Sequence, residues 1–490
     1  MKTNHFLILA LLTGSLLPVY TCAQDGKEPI GGQPPVGTQA SITDFDYEVK
    51  RQRAFEATLW ALPMTSINGF RRAAFEYIGI EENDIIYTSG PATPNLELIT
   101  PNSTTTYICG FTDLRKDALV LEVPAASDEG SLYGQVVDAW QYTIADIGPS
   151  GIDKGKGGKI LFTAPDYNKP IPSGYIHVKS PNYRLTFAFR SIPTPGKTTA
   201  DGVAYSKKVK MYYLSDASNP PQQKFIDVLH KRFPSLPFYD ERNFKEIYDI
   251  INIEPIKPHD KVMMGMLKSL GIEKGKPYSP NEKTLKAMRQ GAIDAWHYLQ
   301  YWFDNMPKEK YYWTDRHYVS LLMTDKNRMF TWEYEDQIDF TERAAEYFWC
   351  ANMPKVLSHS PATQYLMAIA DRNGNHLEAG KLYKVTVPAN MPARQFWALS
   401  VFDYSTMAFI YTDSERTTLS SYDLDKMKKN KDGSVTIYIG PKVPKELESN
   451  WIPTAGKRPL PGMRIYGPTE ELNNKSFKLP DFELVEFDSK

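Results

Sequence analysis

The sequence predicts a chain that is mainly β with α: two antiparallel domains of sandwich or jelly-roll type, joined by a helical middle segment. Three observations carry this expectation. Between Asp84 and Leu214 apolar residues recur at every second position in short runs; from about Gln222 to Pro361 the spacing lengthens to three or four; from Gly380 the two-residue period returns. A strand turns alternate side chains to opposite faces and a helix repeats every 3.6 residues, so a change of period marks a change of element.

Residues 1–23 read as an export signal, with Lys2, an apolar run from Phe6 to Leu17 and the small-residue site Thr21-Cys22-Ala23. The run is too short to span a bilayer as a helix. The expected location is therefore outside the cytoplasm, periplasmic or secreted, with no transmembrane segment. Cys22 also admits a lipid anchor, for which Tyr20 and Thr21 are poor neighbours. Residues 24–40, rich in Pro and Gly, read as a flexible tether. Residues 41–80 form the N-terminal helices, with Phe55, Leu59, Leu62, Phe70, Ala74 and Tyr77 on helical spacing and Pro63 expected to divide them into two.

The first β domain spans 81–218. In it Leu185, Phe187 and Phe189 alternate with Arg184, Thr186, Ala188 and Arg190, and Val209, Met211 and Tyr213 alternate with more polar neighbours. The Gly-rich GKGGK at 155–159 precedes a strand rather than a helix, so it reads as a hairpin loop and not as a phosphate cradle.

The helical segment spans 219–361. Its clearest local signal is Ser279-Pro280-Asn281-Glu282, a capping box with Pro in the first helical position, which opens a helix through Ala287, Ile293, Trp296 and Leu299. A second helix is expected over 341–351, after the acidic WEYED segment, read as a solvated face.

The second β domain spans 362–490. Around Phe396 to Phe402 both alternating faces are apolar, as in a strand covered on both sides. Asp403, Asp413, Glu415 and Arg416 then place charges at strand ends. The structural alternative is that Asp403 and Arg416 pair with each other or cap turns. The turn Asn430-Lys431-Asp432-Gly433 leads into a strand at Val435, Ile437 and Ile439.

Composition excludes some functions. With 57 Lys+Arg against 58 Asp+Glu, a net charge of -1, and no long run of one sign, neither nucleic acid nor an anionic membrane surface is an expected partner. Beyond Cys22 only Cys109 and Cys350 remain, far apart in sequence and expected to be free, buried thiols. His177, His230, His259, His297, His317, His359 and His376 are scattered, without HExxH or HxH, so no metal and no cofactor is expected; His297 and His317 read as ordinary helix-face residues. No GxSxG elbow or SxxK pair is present.

Several longer motifs carry a resemblance. ITPNSTTTY at 99–107, VLEVP at 120–124, DAWQYTIADIG at 138–148 and GKGGK before ILFTAP resemble domain of unknown function 1254. MLKSLGIEKGKPYSP at 266–280, FWALSVFDYST, DGSVTIYIGP, NWIPT and GMRIYGP resemble its usual partner, domain of unknown function 1214. The resemblance implies two β-rich domains with a helical insert, in proteins often labelled cell-envelope proteins, and implies no reaction. Members commonly carry Asn-Asp-Thr where this chain has Ser103-Thr104-Thr105, so a carboxylate role at that place is absent here.

The candidate site residues are polar or aromatic positions set in apolar strands. Asp138, Asp403 and Tyr107 are the candidate acid–base groups, and Asn102, Thr105, Arg190, Trp397, Arg416, Asn450 and Trp451 the candidate ligand contacts. If Asp138 and Asp403 face one cleft between the β domains, a carboxylate pair flanked by aromatic rings suits a saccharide or small organic ligand. The leading expectation is an exported protein that binds or processes such a ligand. One alternative is a metal-independent hydrolase or lyase using Asp or Tyr; another is a structural protein without a ligand site.

Overall fold

The computed structural model describes residues 31–34, 37–194, 196–320, 332–349 and 363–486. The signal segment with Cys22, and also Cys350 and His359, lie outside the described residues. Helix takes 28% and strand 27%, so the protein is mixed α and β rather than mainly β, with antiparallel-rich sheets and, among the described residues, no closed barrel. The described residues from Asp46 onward form one compact unit.

In the first β block a six-stranded sheet runs in the order Phe225–Asp227, Ile85–Tyr87, β1 (Thr106–Asp113), β2 (Arg184–Ile192), Ser131–Val137, Thr143–Ile147. Only the first of these pairings is parallel. A four-stranded sheet orders Lys210–Tyr213, Leu119–Val123, Gly158–Thr163 and Ile176–Lys179. Ile108, Phe187 and Phe189 from the first sheet meet Leu121, Ile160, Phe162 and Met211 from the second in one core. The alternation noted at Leu185, Phe187 and Phe189 is this inward face.

In the second β block the strands Tyr318–Ser320, β3 (Thr363–Ala368), β5 (Pro459–Pro468), β4 (Ala393–Asp403) and Thr418–Ser420 form an antiparallel sheet in that order. Trp397, Leu399, Val401, Met463 and Ile465 pack inward against Val385, Val387, Val435, Ile437 and Ile439 of a four-stranded sheet. The opposite face of the five-stranded sheet, with Met367, Phe402 and Leu460, packs on helices. β4 is therefore buried without interruption from Phe396 to Asp403, as its two apolar faces require.

The α-helices of eight residues or more are α1 (Phe45–Arg72), α2 (Thr199–Ser206), α3 (Glu241–Ile253), α4 (Lys261–Lys268), α5 (Glu282–Asp304) and α6 (Phe340–Trp349). α1 passes through Pro63 as one helix and ends in a π-helical turn, Ala73–Ile78, instead of dividing in two. Proline removes one backbone donor. Here Leu59, Leu62, Trp60 and Met64 on either side of it are buried in two cores, and that tertiary packing outweighs the local penalty.

α5 begins where expected, but its cap is Asn281, whose side chain accepts from the amide of Thr284 at 2.9 Å, and not Ser279. Asn is at least as good an N-cap as Ser, and it sits closer to the first turn. His317 lies in the segment entering the strand Tyr318–Ser320, not on a helix face; Asp481 receives its backbone amide at 2.8 Å. Glu333 to Gln337 are exposed, as read from the acidic segment. Cys109 is free and buried.

Candidate functional site

Two cross-strand pairs build the site. In β1 and β2, Tyr107 stands opposite Arg190. In β3 and β5, Tyr365 stands opposite Arg464. Each pair lies on the face of its sheet turned away from that sheet's own core, since Ile108 and Phe189 point inward in one block and Leu366, Met463 and Ile465 in the other. These two outer faces meet each other. The Arg190 guanidinium lies 5.4 Å from the Tyr107 ring centroid and 5.5 Å from that of Tyr466, two residues beyond Arg464 on β5.

The loop before β1 joins the pairs. Asn102 Nδ2 donates to the Tyr466 hydroxyl at 2.8 Å, while its Oδ1 accepts from the Thr104 amide at 2.8 Å and the Thr104 hydroxyl at 2.7 Å. Ser103 donates to Thr418 across the blocks at 2.6 Å. Thr100 is held at three points: its amide donates to Met407 O at 2.6 Å, its hydroxyl to Trp349 O at 2.8 Å, and its carbonyl accepts from Arg464 at 2.7 Å. Thr100 has φ of 40°, a left-handed backbone that is an outlier for a β-branched residue. Strain of this kind persists only where surrounding contacts impose it, and it concentrates at functional sites.

The electrostatics are one-sided. Among the described residues neither Arg190 nor Arg464 has a carboxylate partner; Arg190 donates to the Tyr107 oxygen from Nε at 3.0 Å and Nη2 at 2.7 Å. Arg464 is only 5% exposed, and its Nη1 is buried without a hydrogen-bond partner among the described residues, as is the Thr105 hydroxyl. A buried cation without an anion is costly. The Arg464 guanidinium lies over the rings of Tyr365 and Phe402, at 5.5 and 5.7 Å, which offsets part of that cost. Tyr107, Arg190, Tyr365 and Asn102 are half-buried.

The sequence candidates divide into five places. Tyr107, Asn102, Thr105 and Arg190 come together in this seam. Asp138 is 1% exposed and caps a turn, its Oδ1 accepting from the amides of Trp140 at 2.9 Å and Tyr142 at 3.0 Å, with Lys257 Nζ 3.8 Å from Oδ2. Burial raises its carboxyl above the ordinary range, with Lys257 and the two amides pulling the other way. Asp403 is likewise a turn cap, accepting from the Ser405 amide at 2.9 Å and hydroxyl at 2.7 Å, with Lys457 at 3.8 Å. The two carboxylates thus have separate sets of partners. Trp397 points into the core of the second block, and it is its neighbour Phe396 that stacks on Tyr466, with centroids 3.9 Å apart.

Arg416, Asn450 and Trp451 form the fifth place. Arg416 donates to Trp451 O at 3.1 Å, and Trp451 Nε1 to Gly440 O at 3.0 Å. Asn450 is 3% exposed and bridges Lys428 and Thr436 through their backbone groups, at 2.7 to 2.9 Å. Because Asn450 satisfies both ends of its amide with backbone, it clamps loops and leaves nothing for a ligand.

Asp403→Asn is expected to leave the fold intact, with a stability loss below about 1 kcal/mol, because the amide oxygen still accepts from Ser405 and the Lys457 contact is long and exposed on the lysine side. Chemical denaturation measures this, and a collapse of the cooperative transition would show that the charge itself holds the fold.

Sequence reasoning missed Arg464, Tyr466 and Tyr365. A signal was present at Arg464 and Tyr466, which alternate with Met463 and Ile465 as Arg190 does with Phe189. A cleft of about 450 Å³ lined by Leu114, Arg115, Tyr183, Asn252 and Lys274 contains none of the candidates. Its cations are engaged, Lys274 with three backbone carbonyls and Arg115 with Asp113.

Fold and site together define a two-block, mixed α/β protein with a cationic, tyrosine-lined seam between its β blocks. Residues 83–213 match the family model described as "Protein of unknown function (DUF1254)", and residues 362–470 match "Protein of unknown function (DUF1214)". The resemblance is borne out for the motifs within these two regions, the stretch at 266–280 falling outside both, and the seam draws residues from both matched regions. No curated protein matches the chain. Among solved structures, the VPA0106 protein from Vibrio parahaemolyticus is similar at 18% identity and a TM-score of 0.51, covering 89% of this chain and 100% of that one, and shares the fold. An uncharacterised protein from Burkholderia cenocepacia aligns at 12% identity and a TM-score of 0.38 over 90% of this chain and 96% of its own, too distant to carry an argument.

Proposed function

We propose that the seam between the β blocks binds a small organic carboxylate, in a chain that acts outside the cytosol after loss of residues 1–23. One observation carries the reading: two arginines, each paired across strands with a tyrosine, converge with no carboxylate partner among the described residues, and Arg464 Nη1 has no partner there at all. Guanidinium geometry matches a carboxylate, and the tyrosine rings around it supply the faces that a carboxylated sugar or aromatic acid would use. The expected saccharide ligand thus becomes an acidic one. Each β block is read as a two-sheet sandwich whose outer faces, rather than strand ends, carry the site. Among the described residues no helix is long and apolar enough to cross a membrane.

The test is a thermal-shift screen of the mature chain with organic carboxylates, matched neutral sugars and inorganic phosphate. A carboxylate at a hundred times its Kd is expected to stabilise by about 2.7 kcal/mol through mass action. The shift should weaken as salt is raised. Equal shifts with neutral sugars, or none with any carboxylate, would sink the reading.

A further inference from the structure

The hydrogen bonds of the seam fix which of its tyrosines holds a proton. Asn102 Oδ1 accepts both the amide and the hydroxyl of Thr104, so the Thr104 oxygen is left as an acceptor, 3.3 Å from the Tyr466 hydroxyl. Tyr466 therefore accepts from Asn102 Nδ2 and gives its own proton to Thr104. Its hydrogen bonding is complete.

Tyr107 is the opposite case. Its oxygen receives Arg190 Nε at 3.0 Å and Arg190 Nη2 at 2.7 Å, with Asn102 Nδ2 at 3.5 Å. Every group directed at it is a donor, and among the described residues nothing accepts a proton from it. Oxygens surrounded only by N–H donors favour the anionic form.

We propose that Tyr107 is a catalytic residue, held as a phenolate, that removes a proton from the carbon next to the carboxyl group of the bound ligand. The inference rests on the carboxylate reading above. In the step the C–H bond breaks, its proton joins the Tyr107 oxygen, and its electron pair moves into the carboxyl group as an enediolate. The added negative charge falls on the carboxyl oxygens, which Arg464 faces. Returning a proton from Tyr107 restores the ligand, so the exchange balances without an oxidant or co-reactant. Expulsion of a group from the next carbon, with its bonding electrons, would make the same step an elimination.

The charges fit this division of labour. Phenolate at Tyr107 neutralises Arg190 and leaves Arg464 as the cation for a single carboxylate. The titratable groups facing Tyr107 are Arg190 on β2, Tyr365 on β3, and Arg464 and Tyr466 on β5. Burial raises the Tyr107 phenol, but Arg190, by charge and hydrogen bonds, and Arg464 lower it further, so the balance falls below the usual tyrosine range. Burial moves Tyr365 in the other direction, upward.

Two measurements on the mature chain test this. The ultraviolet phenolate band is titrated in the wild type and in Tyr107→Phe; the wild type should contain one tyrosine ionising well below the rest, absent from the variant. If no low-titrating phenolate is lost in Tyr107→Phe, the proposal is overturned. The second measurement follows proton NMR in deuterium oxide with lactate, phenylacetate and galacturonate as probes. Deuterium should enter beside the carboxyl group of whichever probe binds, at a rate that rises with pH as Tyr107 ionises. Tyr107→Phe should bind that probe within a few-fold of wild type and lose about 10²–10⁴-fold in exchange, the usual contribution of a positioned base. Binding without exchange in the wild type overturns the catalytic role alone, whereas absence of binding by all carboxylates overturns the anion site beneath it.

Discussion

Arg464→Met is expected to abolish carboxylate binding while leaving the unliganded chain at least as stable as wild type. The two halves have one cause. Arg464 is 5% exposed, makes one hydrogen bond, to Thr100 O, and leaves Nη1 unpartnered among the described residues. Removing a buried, uncompensated charge and filling the space with an apolar chain is often neutral or stabilising. Losing the charge-assisted contact to a ligand costs about 2–5 kcal/mol, roughly 30-fold to several thousand-fold in Kd. Calorimetric titration with a binding carboxylate and a melting curve without it measure both. A large fall in melting temperature without ligand would instead make Arg464 a structural residue, held for its bond to the strained Thr100.

Glu254→Ala is expected to give the largest loss of stability, about 3–5 kcal/mol, with no direct effect on the seam. Glu254 ends α3, is 2% exposed, and accepts from the Tyr183 amide at 2.7 Å, Asn182 Nδ2 at 3.0 Å and the Arg184 amide at 3.1 Å. Alanine would strand three buried donors, each costing about 1–3 kcal/mol less whatever water recovers. The clamp fixes the start of β2, the strand that carries Arg190, to the helical region. Denaturant midpoints, compared at equal m-value, give the number; a loss under about 1 kcal/mol would mean that water replaces the carboxylate.

Much of the fold could be read from periodicity because burial leaves a direct imprint on it. β4, apolar on both faces, is covered on both faces. The strand at Val435, Ile437 and Ile439 follows its turn, where Gly433 takes φ of 81°. Errors came where tertiary packing overrode a local rule, as at Pro63 within α1, or where two caps competed, as at Ser279 and Asn281.

The site was half legible for a related reason. Tyr107 and Arg190 were singled out as polar residues in apolar strands, and the structure sets them opposite each other, but the pattern does not distinguish a polar residue facing solvent from one facing another sheet. Asp138 and Asp403 stood out as acids at strand ends, yet a carboxylate that caps its own turn has the same sequence signature as one aimed into a cleft.

By itself, then, the sequence determined the order of β, helical and β regions, the inward faces of the strands and the two families they match, since each depends on neighbours within a few residues. Only the tertiary structure decided that the outer face carrying Tyr107 and Arg190 meets the one carrying Tyr365, Arg464 and Tyr466. The physical reason is separation along the chain: Asn102 and Tyr466 are 364 residues apart, and no local pattern encodes a contact that two sheets make with the faces they turn away from their own cores.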